Sequence, residues 1–493
     1  MVSAAQAART RMVDFNTMLM GANLVILALL LSTALSSSFG QYINLDTCLL
    51  GILLCIQTHV VLIIEHRRRD PFVILLAYIA TVYFALRVYT LGLFSFSTVF
   101  TRFPFGPNDS NFALAFIILA NVFLYAGFYA VRFRGNLAVN AEDWRPKSPA
   151  SVFPLILLSM IYVYSDAAAN ISGGVGRILS IASLFFNPGL IVLMALAYYW
   201  MFRKSLSRGV AIFLLGIVFL DIGVHTVLSS RGALVSFVQN CMLVVLAISG
   251  TIQTTRKRFA IGVALTPVFV ALLVMMFAVA TLNRINRATE GSLDLAQAVT
   301  FAAETGARLT DNIDVEATPL GAIFDRVGFF DFSAEIIAHA DRYASVLNAE
   351  SYGKSIIDNV LSPGFDLFDQ PKISNALQFK YRDEGRPLKT ASIDSYQSDQ
   401  IGLYGEYYAL FGFGALPLFF LTAFVFKKIY VSVKDGPPFR QAMKRILILV
   451  IFGSAINSYG LDWLCLDIIS MSASLYLFSS RFKVRKCPEP SAN

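Results

Sequence analysis

The sequence predicts an all-α polytopic membrane protein of about twelve transmembrane helices, with one large helical loop on the outer side. Three observations predict it. Hydrophobic residues make up 56% of the 493 and charged residues 15%, where ordinary globular chains carry ~25% charged. Apolar runs of roughly 20 residues, the length that crosses a bilayer, recur along the chain. Lysine and arginine cluster in alternate gaps between those runs, as a positive-inside topology requires. A soluble chain of this length would form roughly three domains. A mean hydropathy of +0.63 and 42 phenylalanines leave more apolar surface than soluble cores hide.

Nine runs come first, at 17–37, 43–65, 71–94, 111–131, 151–168, 178–200, 209–228, 232–249 and 259–281, and make residues 1–281 a nine-span bundle. The first run follows Arg9 and Arg11 and ends near Ser-Thr-Ala-Leu-Ser, in the manner of a signal peptide. With so many later spans it reads as an uncleaved first helix. The sixth contains Asn187-Pro188-Gly189, where a kink or break is expected. Residues 282–400 form the loop. Three more spans follow within 401–480, at 401–426, 443–458 and 461–480, the last two nearly touching at Ser458-Tyr459-Gly460. Residues 481–493 are a basic tail.

Orientation follows from lysine and arginine. With the N-terminus inside, the inside segments hold 25 of them and the short outside loops three: Arg102, Arg177 and Arg231. Both termini are therefore expected inside and the loop outside. The loop holds 18 acidic and 11 basic residues, which leaves the orientation intact because long segments cross regardless of charge. A loop this long needs its own structure. A helix is expected from Pro319 to about Arg342 and a shorter one from Ser351 to Leu361, with mostly irregular chain from Asp366 to Thr390. No internal repeat is visible, and a nine-to-three division of spans disfavours a two-halved transporter.

The net charge of +8 is explained by topology and anionic lipid. The lipid bilayer is thus an expected partner and nucleic acid is not. Cys48, Cys55, Cys241 and Cys465 lie in apolar runs and Cys487 in the tail, so neither a disulfide framework nor a Cys/His metal site is expected. The chain has no Gly-rich phosphate-binding loop of the Gly-x-x-x-x-Gly-Lys-Ser/Thr type, no His-Glu-x-x-His, no Gly-x-Ser-x-Gly and no Asp-x-Asp pair. ATP-driven pumping and zinc or serine hydrolysis are unsupported, and no metal or cofactor is expected.

Ionisable residues within spans are costly and default to functional candidates: Arg87, Asp221, His225, Glu406, Asp462 and Asp467. Asp221 and His225 share one helix face, as a functional or a structural pair. Arg231 sits at an outer mouth, where a guanidinium clamps an anion or snorkels to headgroups. Arg284 and Arg287 leave the ninth span at the same level, to meet an anionic substrate or to neutralise loop acids. In the 319–342 helix, Asp331, Glu335, His339 and Arg342 fall within about 80° of one another. That stripe combines candidate bases with an anion clamp, or is a solvated face; Arg326 lies on another side. Glu406 stands among Tyr404, Tyr407 and Tyr408, a grouping that suits a carbohydrate as well as an interfacial aromatic belt.

Four features then resemble the O-antigen and exopolysaccharide repeat-unit polymerases of the Wzy type. They are Leu-Ser-Ser-Arg-Gly-Ala-Leu around Arg231; Tyr352-Gly353-Lys354-Ser355 through Pro363; Ile401-Gly402 through Glu406 with Phe411-Gly412 to Gly414; and the large outer loop before that late span. The resemblance covers roughly residues 170–425. It implies a GT-C-like fold and a metal-independent membrane glycosyltransferase. Such enzymes transfer a growing glycan from undecaprenyl diphosphate onto a new undecaprenyl-diphosphate-linked oligosaccharide at the periplasmic face. A chain-length regulator protein would be a further partner. The diphosphate leaving group would be stabilised by Arg231, Arg284 and Arg342, with Arg326 in reserve. The acceptor hydroxyl would need a base, from Glu406, His339, Glu335 or Asp331, with Tyr404 and Tyr407 lining the sugar site. O-antigen ligases share the architecture and usually carry an essential loop histidine, a place that His339 fills here. A transporter or assembly subunit is the non-enzyme alternative.

Overall fold

The computed structural model describes residues 12–37, 39–94, 106–132, 144–146, 188–203, 205–227, 231–249, 254–255, 260–261, 264–265, 329–361, 367–368, 370–383, 401–434, 436–457, 460–479, 482 and 484–486. Nearly all of them are helical. Five helices are long and apolar enough to cross a membrane: Phe15–Ser36, Leu45–Arg68, Pro71–Gly92, Pro107–Ala130 and Gly402–Ser432. Shorter apolar helices include Leu190–Phe202, Arg208–Phe219, Gln239–Ile248 and Leu464–Ser479. The chain is therefore a helical membrane protein. The expected spans at 151–168 and 259–281 lie essentially outside the described residues. The helices and their breaks otherwise follow the apolar runs, including the gap between 457 and 461.

The described residues fall into two compact units: residues 1–101 with 220–330, and residues 102–219 with 331–493. In the first unit, α1 (Phe15–Ser36) and α2 (Leu45–Arg68) form an antiparallel hairpin. Asn16 Nδ2 donates to the Leu62 carbonyl and Asn23 Nδ2 to the Cys55 carbonyl, each at 2.8 Å, so numbers rise on one helix as they fall on the other. The helix starts are capped as the sequence dictates. Asp14 accepts from the Thr17 N–H, and Asn44 forms a reciprocal pair with Thr47. Pro71 follows the Asp70 cap of α3 (Pro71–Ile79). The third span is one helix in outline only. A π-helical turn at Ala80–Ala85 separates α3 from α4 (Leu86–Phe94) and precedes the buried Arg87.

In the second unit, α5 (Pro107–Ala130) runs beside a broken span. That span consists of α13 (Gly402–Phe411), a 3-10 turn at Gly412–Ala415 and α14 (Leu416–Ser432). It differs from the continuous 401–426 helix expected. Gly412 takes φ 55°, ψ −137°, which only glycine adopts without strain, and the helix breaks there. Gly127 lets α5 approach α14 closely: a side chain there would meet the Phe420 carbonyl, and the Ala423 Cβ at 2.8 Å. Around them stand α6 (Pro188–Phe202), α15 (Pro438–Asn457) and α16 (Leu461–Ser479); the expected break at Asn187-Pro188-Gly189 falls at the edge of the described residues. Helices α7 (Arg208–Val227) and α8 (Arg231–Ser249) lie between α6 and the loop in the sequence.

Among its described residues the loop contributes four helices: α9 (Phe329–Ala338), α10 (Ala340–Tyr343), α11 (Ala349–Leu361) and α12 (Ile373–Asp383). The expected Ser351–Leu361 helix is present. Within the stretch from Asp366 to Thr390, expected to be mostly irregular, α12 is an added helix. Its buried Ile373 and Leu377, one turn apart, give it an apolar stripe behind Pro371.

Two short antiparallel strand pairs complete the fold. Met12–Val13 (β1) pairs with Thr254–Thr255 (β3), and Trp144–Pro146 (β2) with Val484–Lys486 (β4). Each pair joins two segments that the lysine and arginine pattern assigns to the same side. In the second unit, the N-terminal ends of α5, α13 and α16 all meet loop residues, while the segments after α5 and α16 pair as β2 and β4.

Gly127→Leu should drive α5 off α14 and cost about 1–3 kcal/mol, the usual penalty of overpacking. The check is thermal unfolding in detergent. Gly21→Leu, at a position with open space around it, is the control and should leave the midpoint unchanged.

Candidate functional site

The loop helix does not continue from Pro319 to Arg342 as expected. Within the described residues it runs Phe329–Ala338 and stops at His339, whose backbone takes φ −125°, ψ 40°. The His339 N–H still donates to the Glu335 carbonyl at 2.9 Å, and the Arg342 N–H then donates to the His339 carbonyl at 3.0 Å. This tighter turn brings Arg342 back over Glu335.

Glu335 is the centre of the arrangement. Its side chain has 0% exposure, and its Oε1 accepts from Arg342 Nη1 at 2.7 Å and from the Tyr343 hydroxyl at 2.9 Å. A carboxylate removed from water needs such compensation. Burial, and then the Glu335 charge, raise the Tyr343 phenol far above its ordinary value, so it remains a donor. His339 Nε2 stands 3.7 Å from Glu335 Oε2 and 3.5 Å from Oδ1 of Asp109, the third residue of α5. Asp331, four residues before Glu335, is fully buried as well. The solvated-face reading of this stripe is therefore wrong: two of its acids are buried, while His339 and Arg342 are half-buried.

A second buried cluster lies at the start of α13 and α16. Glu406 is buried, and its Oε2 accepts from the Leu461 N–H at 2.8 Å. Asp462 is buried too, and its Oδ2 accepts from the Ser355 hydroxyl of α11 at 2.9 Å. Gly460 lies between the two acids: a Cβ there would stand 2.5 Å from Glu406 Oε1 and 2.6 Å from Asp462 Oδ1. Tyr352 of α11 is buried beside both. Desolvation, followed by the charges of Glu406 and Asp462, pushes its phenol well above the ordinary range. The two clusters adjoin α13 from different sides. Ser333 Oγ donates to the Ile401 carbonyl at 2.9 Å, and Ile336 lies 3.6 Å from where a Gly405 Cβ would be.

Tyr404 and Tyr407 are part of the packing here. Tyr404 is fully buried, with its hydroxyl on Asn121 of α5 and its ring against Phe419. Tyr407 shares a 3.0 Å hydrogen bond with Thr422. Arg231 opens α8, and its side chain is not among the described groups. The same holds for Asp221 and His225 of α7. Arg284, Arg287 and Arg326 lie outside the described residues.

Sequence reasoning missed Asp109, Tyr343 and Gly460, and it named Tyr352 only within a motif. Asp109 belongs to Gly106-Pro107-Asn108-Asp109, an ordinary helix-start pattern, and carried no other signal. Gly460 stood out only as a boundary between spans.

No family model matches this chain, and neither a curated protein nor a solved structure matches it.

Gly460→Ala should displace both carboxylates and loosen α11 from α16. Limited proteolysis of the folded protein should then cut within 349–361 more than about tenfold faster, against an unchanged rate for Gly353→Ala, where the added methyl meets open space.

Proposed function

We propose that this protein is a metal-independent membrane glycosyltransferase that polymerises undecaprenyl-diphosphate-linked repeat units into a cell-surface polysaccharide. In this reading it has a twelve-span, GT-C-like architecture in a bacterial inner membrane and works at the periplasmic face. The observation that carries the reading is the grouping of half-exposed Arg342 and His339 on the buried Glu335 carboxylate. It lies where loop helices meet the starts of α5 and α13, the ends that topology assigns to the outer surface.

The chemistry asks for two things. The first is a cation fixed beside a diphosphate as its leaving oxygen gains charge. Glu335 holds the Arg342 guanidinium in one orientation, and a prepositioned donor stabilises developing charge without reorganising. The second is a base for the acceptor hydroxyl. His339 keeps 29% of its side chain exposed, whereas Glu406 is sealed by Leu461, Gly460 and Tyr352. His339 is thus the better base, and Glu406 holds the loop against the spans. The proton of the acceptor hydroxyl passes to the imidazole and the oxygen attacks the anomeric carbon. The bond to the diphosphate oxygen breaks, its electron pair leaving with undecaprenyl diphosphate. Arg231, Arg284, Arg287 and Arg326 remain candidates for further contacts to that diphosphate, and a chain-length regulator for the protein partner.

Deleting the gene in its host should replace long surface glycans with single repeat units, read on a gel beside the lipid-linked pool. Long polymer stranded on the lipid carrier would indicate a ligase instead. Unchanged pools would refute both. Arg342→Ala should slow lengthening ~100–1000-fold, the cost of one lost charge-stabilising donor, with protein level checked in the membrane.

A further inference from the structure

Asp109 stands at the first turn of α5, outside the loop that supplies the other groups. Its Oδ2 accepts from the Gly106 N–H at 2.8 Å, which fixes the plane of the carboxylate. Its Oδ1 faces His339 Nε2 at 3.5 Å, and Glu335 Oε2 faces the same nitrogen at 3.7 Å. The nitrogen therefore lies between two acids that come from different elements. Nε2 itself is fully buried and, at these distances, accepts or donates no hydrogen bond, although the side chain keeps 29% exposure.

We propose that Asp109 is a positioning residue for the transfer reaction, fixing the His339 tautomer that carries its proton on Nε2. An imidazole with a carboxylate on each side of one nitrogen is favoured as a donor there. Its lone pair is then on Nδ1. Nδ1 takes the acceptor proton, and the resulting imidazolium sits against two negative charges until it releases that proton to water. The inference rests on the reading of His339 as the base.

Asp109 is more suitable than Glu335 for testing this. Glu335 also holds Arg342 and Tyr343, so its loss would move the anion clamp along with the imidazole. Among the described residues the Asp109 carboxylate faces His339 and its own helix cap, and asparagine can keep the cap. The other charged or titratable groups on the adjoining turns are Glu335 on α9 and Asp341, Arg342 and Tyr343 on α10, with Tyr408 of α13 feeling the Asp341 charge.

The test uses membrane vesicles carrying the full-length protein and their native lipid-linked pool. The rate of glycan lengthening is measured for the wild type, Asp109→Asn, Asp109→Glu and His339→Gln. Asp109→Asn should lose ~10–100-fold in rate, as for orienting partners in other sites. Asp109→Glu should restore the rate. A second readout needs no activity: nitrogen-15 NMR of histidine-labelled protein, with His339 assigned through His339→Gln. It should show the Nε2–H tautomer in the wild type and a mixture in Asp109→Asn. If His339→Gln is inactive while Asp109→Asn keeps the wild-type rate and tautomer, the positioning role is wrong and the base stands. If His339→Gln lengthens glycans normally, the base assignment fails and takes the positioning role with it.

Discussion

A carboxylate with no exposed surface, Glu335, sets the terms for the loop. Leaving such a charge uncompensated would cost several kcal/mol, so the chain around it is arranged to supply donors. The helix stops at His339 and the next turn tightens. Arg342 and Tyr343 then reach the same oxygen, at 2.7 and 2.9 Å. The break in the helix is thus a consequence of burying the acid. It also accounts for the position of the histidine, which falls at the break with its ring between α9 and the start of α5.

The same accounting governs the spans. A polar group in the apolar interior must find its partner inside the protein. In the first unit Asn16 and Asn23 of α1 answer carbonyls of α2, and Thr81 in the π-helical turn reaches Asn23 at 3.4 Å. In the second unit Tyr404 answers Asn121, and Glu406 answers a backbone N–H at the head of α16. These bonds fix which helices pair and in what register. Small residues such as Gly127 set how close the helices come.

Much of this was legible in the sequence, because hydropathy acts locally. The apolar runs gave the helix positions. The grouping of Glu335, His339 and Arg342 followed from their spacing. What spacing could not convey was depth. A stripe of acid, histidine and arginine reads identically whether it faces water or is sealed by a second helix, and only the packing against α13 decides between them. Breaks were hidden for a related reason. The stop at His339 is dictated by a tertiary need at Glu335, and the turn at Gly412 lies inside an otherwise uninterrupted apolar run. The partnership of Asp109 with His339 spans more than two hundred residues, so no local pattern could announce it.

Exposure finally separates two carboxylate clusters that the sequence presents as equivalent candidates for proton transfer. In the proposed reaction a base must be reached by a hydroxyl on a large, hydrated glycan. Glu406 offers no surface: Gly460 lies against it without a side chain, the Leu461 N–H occupies one oxygen, and Tyr352 covers it from the loop. Its neighbours tie α11 to α13 and α16, so its chemistry is that of a joint. His339 has the opposite balance. One nitrogen is buried against two acids while the side chain stays partly exposed, with an arginine fixed on the shared glutamate. A joint must be rigid and closed, a proton acceptor must be held on one side and free on the other, and the two clusters divide along that line.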